Sequence, residues 1–91
     1  MLINNNKRLI TSLNSIINQA ENAGLSKRDL NIAKEYIDHF EFGLSLEYIT
    51  VQLFEFNIQI NQEFYDAIVL TGELMEIKEG EYSYLKSLIL S

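Results

Sequence analysis

The sequence contains no cysteine, no proline and no tryptophan, and its single histidine is His39. Without cysteine there is neither a disulfide scaffold nor a thiolate metal site. Without proline, nothing interrupts helix interiors, which favours helices joined by short connections. With one histidine, a His-rich metal centre is excluded. Long apolar runs are missing too, and residues 1–6 are asparagine-rich, so neither a signal peptide nor a membrane span is expected. What the chain does have is apolar residues at 47% of its 91 positions, enough for one globular core and too many for a disordered segment. A core of this size buries roughly 60–65% of the unfolded surface. These features predict a single-domain, soluble, cytoplasmic protein spanning 1–91.

Thirteen acidic residues stand against seven Lys and Arg, a net charge of -6. That sign argues against nucleic acid or an anionic membrane as direct partner. The distribution is more informative than the sum. Residues 1–34 carry a local excess of three positive charges, and residues 78–91 balance to zero. Between them, residues 35–77 hold nine acids and no Lys or Arg. Such a stretch cannot neutralise itself through i,i+4 ion pairs. It serves either as a solvated face or as a surface for a basic partner.

Helical periodicity runs through the chain. Leu9, Ile10, Leu13, Ile16, Ile17 and Ala20 form one apolar stripe, and Gly24 can stop that helix, which begins near Leu2 or near Lys7. Ser26 then reads as an N-cap with Asp29 as the acid three residues on. Leu30, Ala33, Ile37 and Phe40 continue at helical spacing, predicting a second helix over 27–41. Gly43 marks the next break. Leu46, Ile49, Leu53 and Phe56 predict a third helix over 44–56, with Leu44, Tyr48, Val51 and Phe54 off its main stripe, as expected of a central helix with several neighbours. Asn57 can close it. Ile58 to Ile60 alternates and is compatible with extended chain. Asn61 caps a fourth helix over 62–76, with Phe64, Ala67, Ile68, Thr71 and Met75 inward and Gly72 marking close helix packing. Tyr82, Leu85, Leu88 and Ile89 predict a final short helix over 79–90. The expected fold is an all-α compact bundle of about five short helices.

Catalytic constellations are missing. Glu35 and His39 share a helix face one turn apart, but a metal site needs a further ligand, and the Glu-x-x-His spacing of di-iron proteins is not met. The i,i+3 carboxylate pairs Glu35/Asp38, Glu63/Asp66 and Glu73/Glu76 fall between the apolar stripes, where no cleft separates their pKa values. No glycine-rich phosphate loop, nucleophile elbow or calcium loop is present. The expectation is a protein with no enzymatic activity, no cofactor and no metal. Tyrosines interleave with the acids, as in Glu35-Tyr36 and Glu47-Tyr48, a mixture suited to protein interfaces. Tyr48 and Phe54 are the best partner-facing aromatics. Together with the charge count this predicts partner binding through Glu35, Asp38, Glu47, Tyr48, Glu55, Asp66 and Glu73.

The segment Glu41-Phe42-Gly43-Leu44-Ser45-Leu46-Glu47-Tyr48-Ile49, preceded by Ala33-Lys34-Glu35-Tyr36-Ile37, resembles the central motif of small bacterial MafI-type immunity proteins. Ile58-Gln59-Ile60-Asn61-Gln62-Glu63-Phe64-Tyr65 is similar to the opening of their next helix. The likeness covers residues 33–77, about half of the chain, and consists of packing and capping residues. Ser45 departs from it, standing where the family usually has Ala. The resemblance implies a cytoplasmic inhibitor of a secreted or contact-delivered toxin domain, often a nuclease. Nucleases carry basic clefts that an acidic protein can occupy. The alternative is a small helical adaptor or regulatory module that binds another protein.

Overall fold

In the computed structural model, which describes residues 2–90 and the side chains from residue 6 onward, four α-helices are followed by two short 3₁₀ segments. Helix α1 spans Leu2–Ala23, α2 Lys27–Asp38, α3 Phe42–Glu55 and α4 Gln62–Leu74, with 3₁₀ turns at Glu79–Glu81 and Ser83–Leu88. This is an all-α fold, and no strand is formed among the described residues. Helix α1 packs against α2, α3 and α4; α3 lies chiefly on α2 and also touches the second 3₁₀ segment. The radius of gyration is 12.2 Å, what a close-packed chain of this length has.

The helix starts follow the sequence signals. Ser26 Oγ accepts from the Asp29 amide at 3.2 Å, and Asn61 Oδ1 accepts from the Phe64 amide at 2.7 Å. Each side chain satisfies one of the amide donors that a first helical turn leaves unpaired. The helix ends are less orthodox. All four α-helices close with a left-handed residue, at Gly24, Phe40, Asn57 and Glu76. In every case the next amide reaches back five residues to a last-turn carbonyl, for example Glu41 N–H to Tyr36 O at 2.8 Å and Ile77 N–H to Gly72 O at 2.9 Å. Glycine and asparagine are usual at such a position; phenylalanine and glutamate are not. The second break therefore falls at Phe40, with φ +58°, and not at Gly43, which lies inside the first turn of α3. Helix α2 ends three residues earlier than expected for the same reason.

One core cluster joins the inward faces of all four helices. Leu13, Ile16, Leu46, Ile49, Leu53 and Ile68 are fully enclosed. Ser45 is buried as well, and its hydroxyl donates to the Ala33 carbonyl at 2.9 Å, fastening α3 to α2. An alanine there would pack but make no bond.

The expected fifth helix is the main departure. Residues 79–88 wind as 3₁₀ turns, with Leu85 N–H to Tyr82 O and Ile89 N–H to Lys86 O closing three-residue loops. The buried positions Tyr82, Leu85 and Leu88 recur every three residues, which matches the 3.0-residue turn of a 3₁₀ helix and not 3.6. Ser83 and Ser87 hydroxyls donate to the carbonyls three residues back, Gly80 and Tyr84, adding side-chain competition for main-chain acceptors. The segment after it pairs with Ile60 in a single parallel bridge, Ile60 N–H to Leu88 O and Leu90 N–H to Ile60 O, both 2.9 Å. The extended character expected of Ile58 to Ile60 is confined to that bridge.

Gly72 does mark a close approach, but to a ring and not to a helix backbone. A Cβ built there would lie 2.5 Å from Tyr82 Cε2. The missing side chain is what lets the tail lie against α4, where Tyr65 also donates to Glu79 Oε2 at 3.0 Å.

Candidate functional site: the outer face of helix α3

Helix α3 buries Ser45, Leu46, Ile49, Thr50 and Leu53. The residues at the opposite helical angle are Leu44, Glu47, Val51, Phe54 and Glu55, all exposed. The apolar residues off the main stripe were expected to face further neighbours; Leu44, Val51 and Phe54 face solvent instead, Phe54 at 48% exposure. Tyr84, from the second 3₁₀ segment, meets the Phe54 ring edge-to-face at 5.1 Å between centroids. The result is an apolar and aromatic strip with Glu47 and Glu55 set into it. Monomer surfaces tolerate single exposed apolar residues, whereas a contiguous row rimmed by charge is the usual character of a binding surface.

Beside this strip, α3 and the tail enclose a groove of about 500 Å³, lined in part by Glu47, Val51, Ile77, Glu81 and Tyr82. Among the described residues, no Lys, Arg or His pairs with Glu47 or Glu81; the ion pairs present are Arg28–Asp29 and Lys86–Glu79. Burial, reinforced by the negative charge of Glu81 and the proximity of Tyr84 and Glu47, pushes the Tyr82 phenol up to about 12. It is neutral at any physiological pH.

Tyr48 does not belong to this surface. It is half-buried on the flank of α3, its ring tilted against Tyr36 at 6.2 Å, and its hydroxyl donates to Asp29 Oδ1 at 2.7 Å. One turn further along, Gln52 Nε2 donates to Asp29 Oδ2 at 3.2 Å. Asp29 is 1% exposed. Burial works to raise its pKa, but the bonds from Tyr48, Gln52 and Ser26 and the Arg28 charge together outweigh that and hold it below the usual carboxylate value. The Tyr48 phenol is raised in turn, by its bond to Asp29 and then by burial. This cluster satisfies itself and is a structural joint. Only Phe54 of the two expected aromatics points outward.

The acids expected to bind a partner are spread over three helices. Glu35 and Asp38 are exposed on α2 but line different grooves. Asp66 and Glu73 are exposed on α4, with Gln62 Nε2 donating to Asp66 at 2.8 Å. Glu47 and Glu55 share a face with three exposed apolar residues of their own helix, Leu44, Val51 and Phe54, and Asp66 and Glu73 share one with the single exposed Leu70 between them. Glu81 and Tyr84 were not expected at the site, because residues 78–91 are neutral in sum and their place beside α3 depends on the path of the tail. His39 is exposed at the end of α2, where its Nδ1 lies 2.8 Å from the Glu35 carbonyl oxygen and donates to it. Among the described residues, no three His, Asp or Glu side chains converge as a metal site, and no helix is long and apolar enough to cross a membrane.

Comparison with known proteins adds no relative: no family model, no curated protein and no solved structure matches the chain.

Proposed function

We propose that this chain is an immunity protein that binds and neutralises a basic toxin domain, a nuclease being the toxin class with the most suitable surface. The contact is made by the outer face of α3. The observation that carries the reading is the row Leu44, Val51 and Phe54, exposed between Glu47 and Glu55 on a helix with no Lys or Arg. An apolar row supplies desolvated contact area, and the flanking carboxylates steer a positively charged partner and fix its register. The resemblance to MafI-type immunity proteins supplies the toxin class. An adaptor would need the same kind of surface but no cationic partner.

Affinity capture from the native strain tests the reading. The expected partner is a basic domain encoded directly upstream, toxic when expressed alone and harmless when co-expressed with this chain. Capture of a partner that is acidic, or whose expression harms no cell, would favour the adaptor.

A further inference from the structure

Whereas the groove of Glu35, Tyr36 and Glu41 includes His39, the groove between α3 and the tail joins negative charge to apolar and aromatic wall without any basic or imidazole side chain. Two carboxylates line it, Glu47 and Glu81, and neither has a basic partner among the described residues. Val51 and Ile77 supply apolar wall, and the ring of Tyr84, 38% exposed, an aromatic one. Tyr82 also lines it and is 5% exposed; unlike Tyr48 and Tyr65, its hydroxyl makes no side-chain hydrogen bond among the described residues. Its hydroxyl end lies against Gly72 of α4, so Tyr82 contributes buried wall to the groove. Gly43 stands at the same groove with no atom within 4 Å of where a Cβ would lie.

Negative charge, apolar wall and aromatic ring in one concavity match a single kind of side chain. A guanidinium is planar, weakly hydrated and stacks on aromatic rings, it offers five N–H donors to carboxylate oxygens, and its stem is aliphatic. Ammonium lacks the planar fork and holds its water more strongly.

We propose that this groove is the receptor for one arginine side chain of the protein partner. Glu47 and Glu81 accept its N–H groups, Tyr84 stacks on it, and Val51 and Ile77 cover its methylenes. The inference deepens the reading of the partner as a basic protein and rests on it. It identifies which kind of residue anchors that partner, and where.

The test separates the two claims. Amide resonances of the whole chain are followed by NMR as N-acetyl-arginine amide is added, then N-acetyl-lysine amide and N-acetyl-citrulline amide, the last being the uncharged isostere. The arginine compound should shift Gly43, Val51, Ile77 and Tyr84 saturably, the lysine compound more weakly, and the citrulline compound not at all. Glu47→Gln with Glu81→Gln should weaken that binding by about tenfold or more. Glu63→Gln, on α4, should leave it unchanged. Gly43→Leu fills open space without touching charge or core, so a folded variant that no longer shows the shifts places the probe in the groove. Equal shifts with citrulline, shifts scattered over the other acids, or binding indifferent to the double variant would each overturn the receptor. Those failures would leave a captured basic toxin as partner of some other face. Conversely, arginine binding at the groove in a chain that captures no toxin would overturn the immunity reading and leave the receptor standing.

Discussion

The phenol of Tyr48 and the carboxylate of Asp29 lie nineteen positions apart in the chain and 2.7 Å apart in space. Their hydrogen bond joins the flank of α3 to the first turn of α2. Asp29 was placed by a local rule, as the acid in the first turn of a capped helix, and it sits there. Its carboxylate has nevertheless turned away from the helix end and into the interhelix contact. A charge this deeply enclosed is tolerated because both oxygens are bonded, one to Tyr48 and one to Gln52.

Tyr48→Phe removes one of those donors with little change of shape. A hydrogen bond to a charged group contributes about 1.5–3 kcal/mol, and urea unfolding near neutral pH should show a loss of that order. The acid dependence follows from the direction of the Asp29 shift. Its folded pKa lies below the unfolded value of about 3.9, so the unfolded chain takes up the proton first on acidification. The contribution is complete above the unfolded value and is lost as pH falls through the folded one. The difference between wild type and Tyr48→Phe should therefore shrink near pH ~3. A difference that is the same at both pH values would show that Asp29 is not the group being stabilised. Partner binding should survive the substitution, since the hydroxyl faces inward.

Phe40 holds a left-handed backbone at φ +58° while 69% exposed. Its contacts are few, the main one being the edge-to-face approach to Phe42 at 5.8 Å. Truncation to Ala and to Gly removes the same ring contact, so the comparison isolates the backbone. Phe40→Gly should be more stable than Phe40→Ala by about 0.5–1 kcal/mol, after the extra chain entropy of Gly is counted. If Ala is the more stable of the two by thermal unfolding, the helix does not end in this motif.

At Gly72 the expected sign runs against helix propensity. Alanine in a helix interior gains about 1 kcal/mol over glycine. Here the added Cβ would stand 2.5 Å from a ring carbon of Tyr82, which is itself buried. Overpacking of this kind costs about 1–3 kcal/mol, so Gly72→Ala should lower the melting temperature. Tyr82→Phe should not rescue it, because the clashing carbon remains. Tyr82→Leu should, giving a double variant less destabilised than the sum of the singles. Additive losses would mean that the tail does not lie against α4.

The helical stripes are legible in the sequence because their buried positions repeat at 3.6, and the Ser26 and Asn61 caps because short polar side chains at a helix start have one physical use. Two things are hidden. A left-handed helix end normally announces itself by Gly or Asn, so Phe40 and Glu76 read as ordinary helix while Gly43, which is ordinary helix, reads as a break. The site is hidden for a different reason. Charge counted along the chain singles out residues 35–77, but the groove combines Glu47 with Glu81 and the strip beside it Phe54 with Tyr84, pairs that the path of a 3₁₀ tail brings together. The three-residue spacing of Tyr82, Leu85 and Leu88 was the available signal for that tail.

The acidic stretch makes the most exposed prediction. If α3 is the contact face, its acids and those of α4 should behave differently toward the captured partner. Reversing Glu47 together with Glu55 places two positive charges among Leu44, Val51 and Phe54, at the centre of the contact. The dissociation constant should rise about thirtyfold or more, with much of the change in dissociation rate. Phe54→Ala should have a comparable effect and leave the core untouched, since the ring is half exposed. Reversing Asp66 together with Glu73 changes net charge by the same amount, but on α4. It should slow association at low salt and lose that effect at high salt, where exposed charges are screened beyond about 8–10 Å. The discriminating measurement is therefore the association and dissociation rate of each variant at two ionic strengths. Equal, wholly salt-screened effects of the two pairs would reduce the stretch to a steering field. The contact face would then have to lie away from α3, with the basic first helix the next surface to examine.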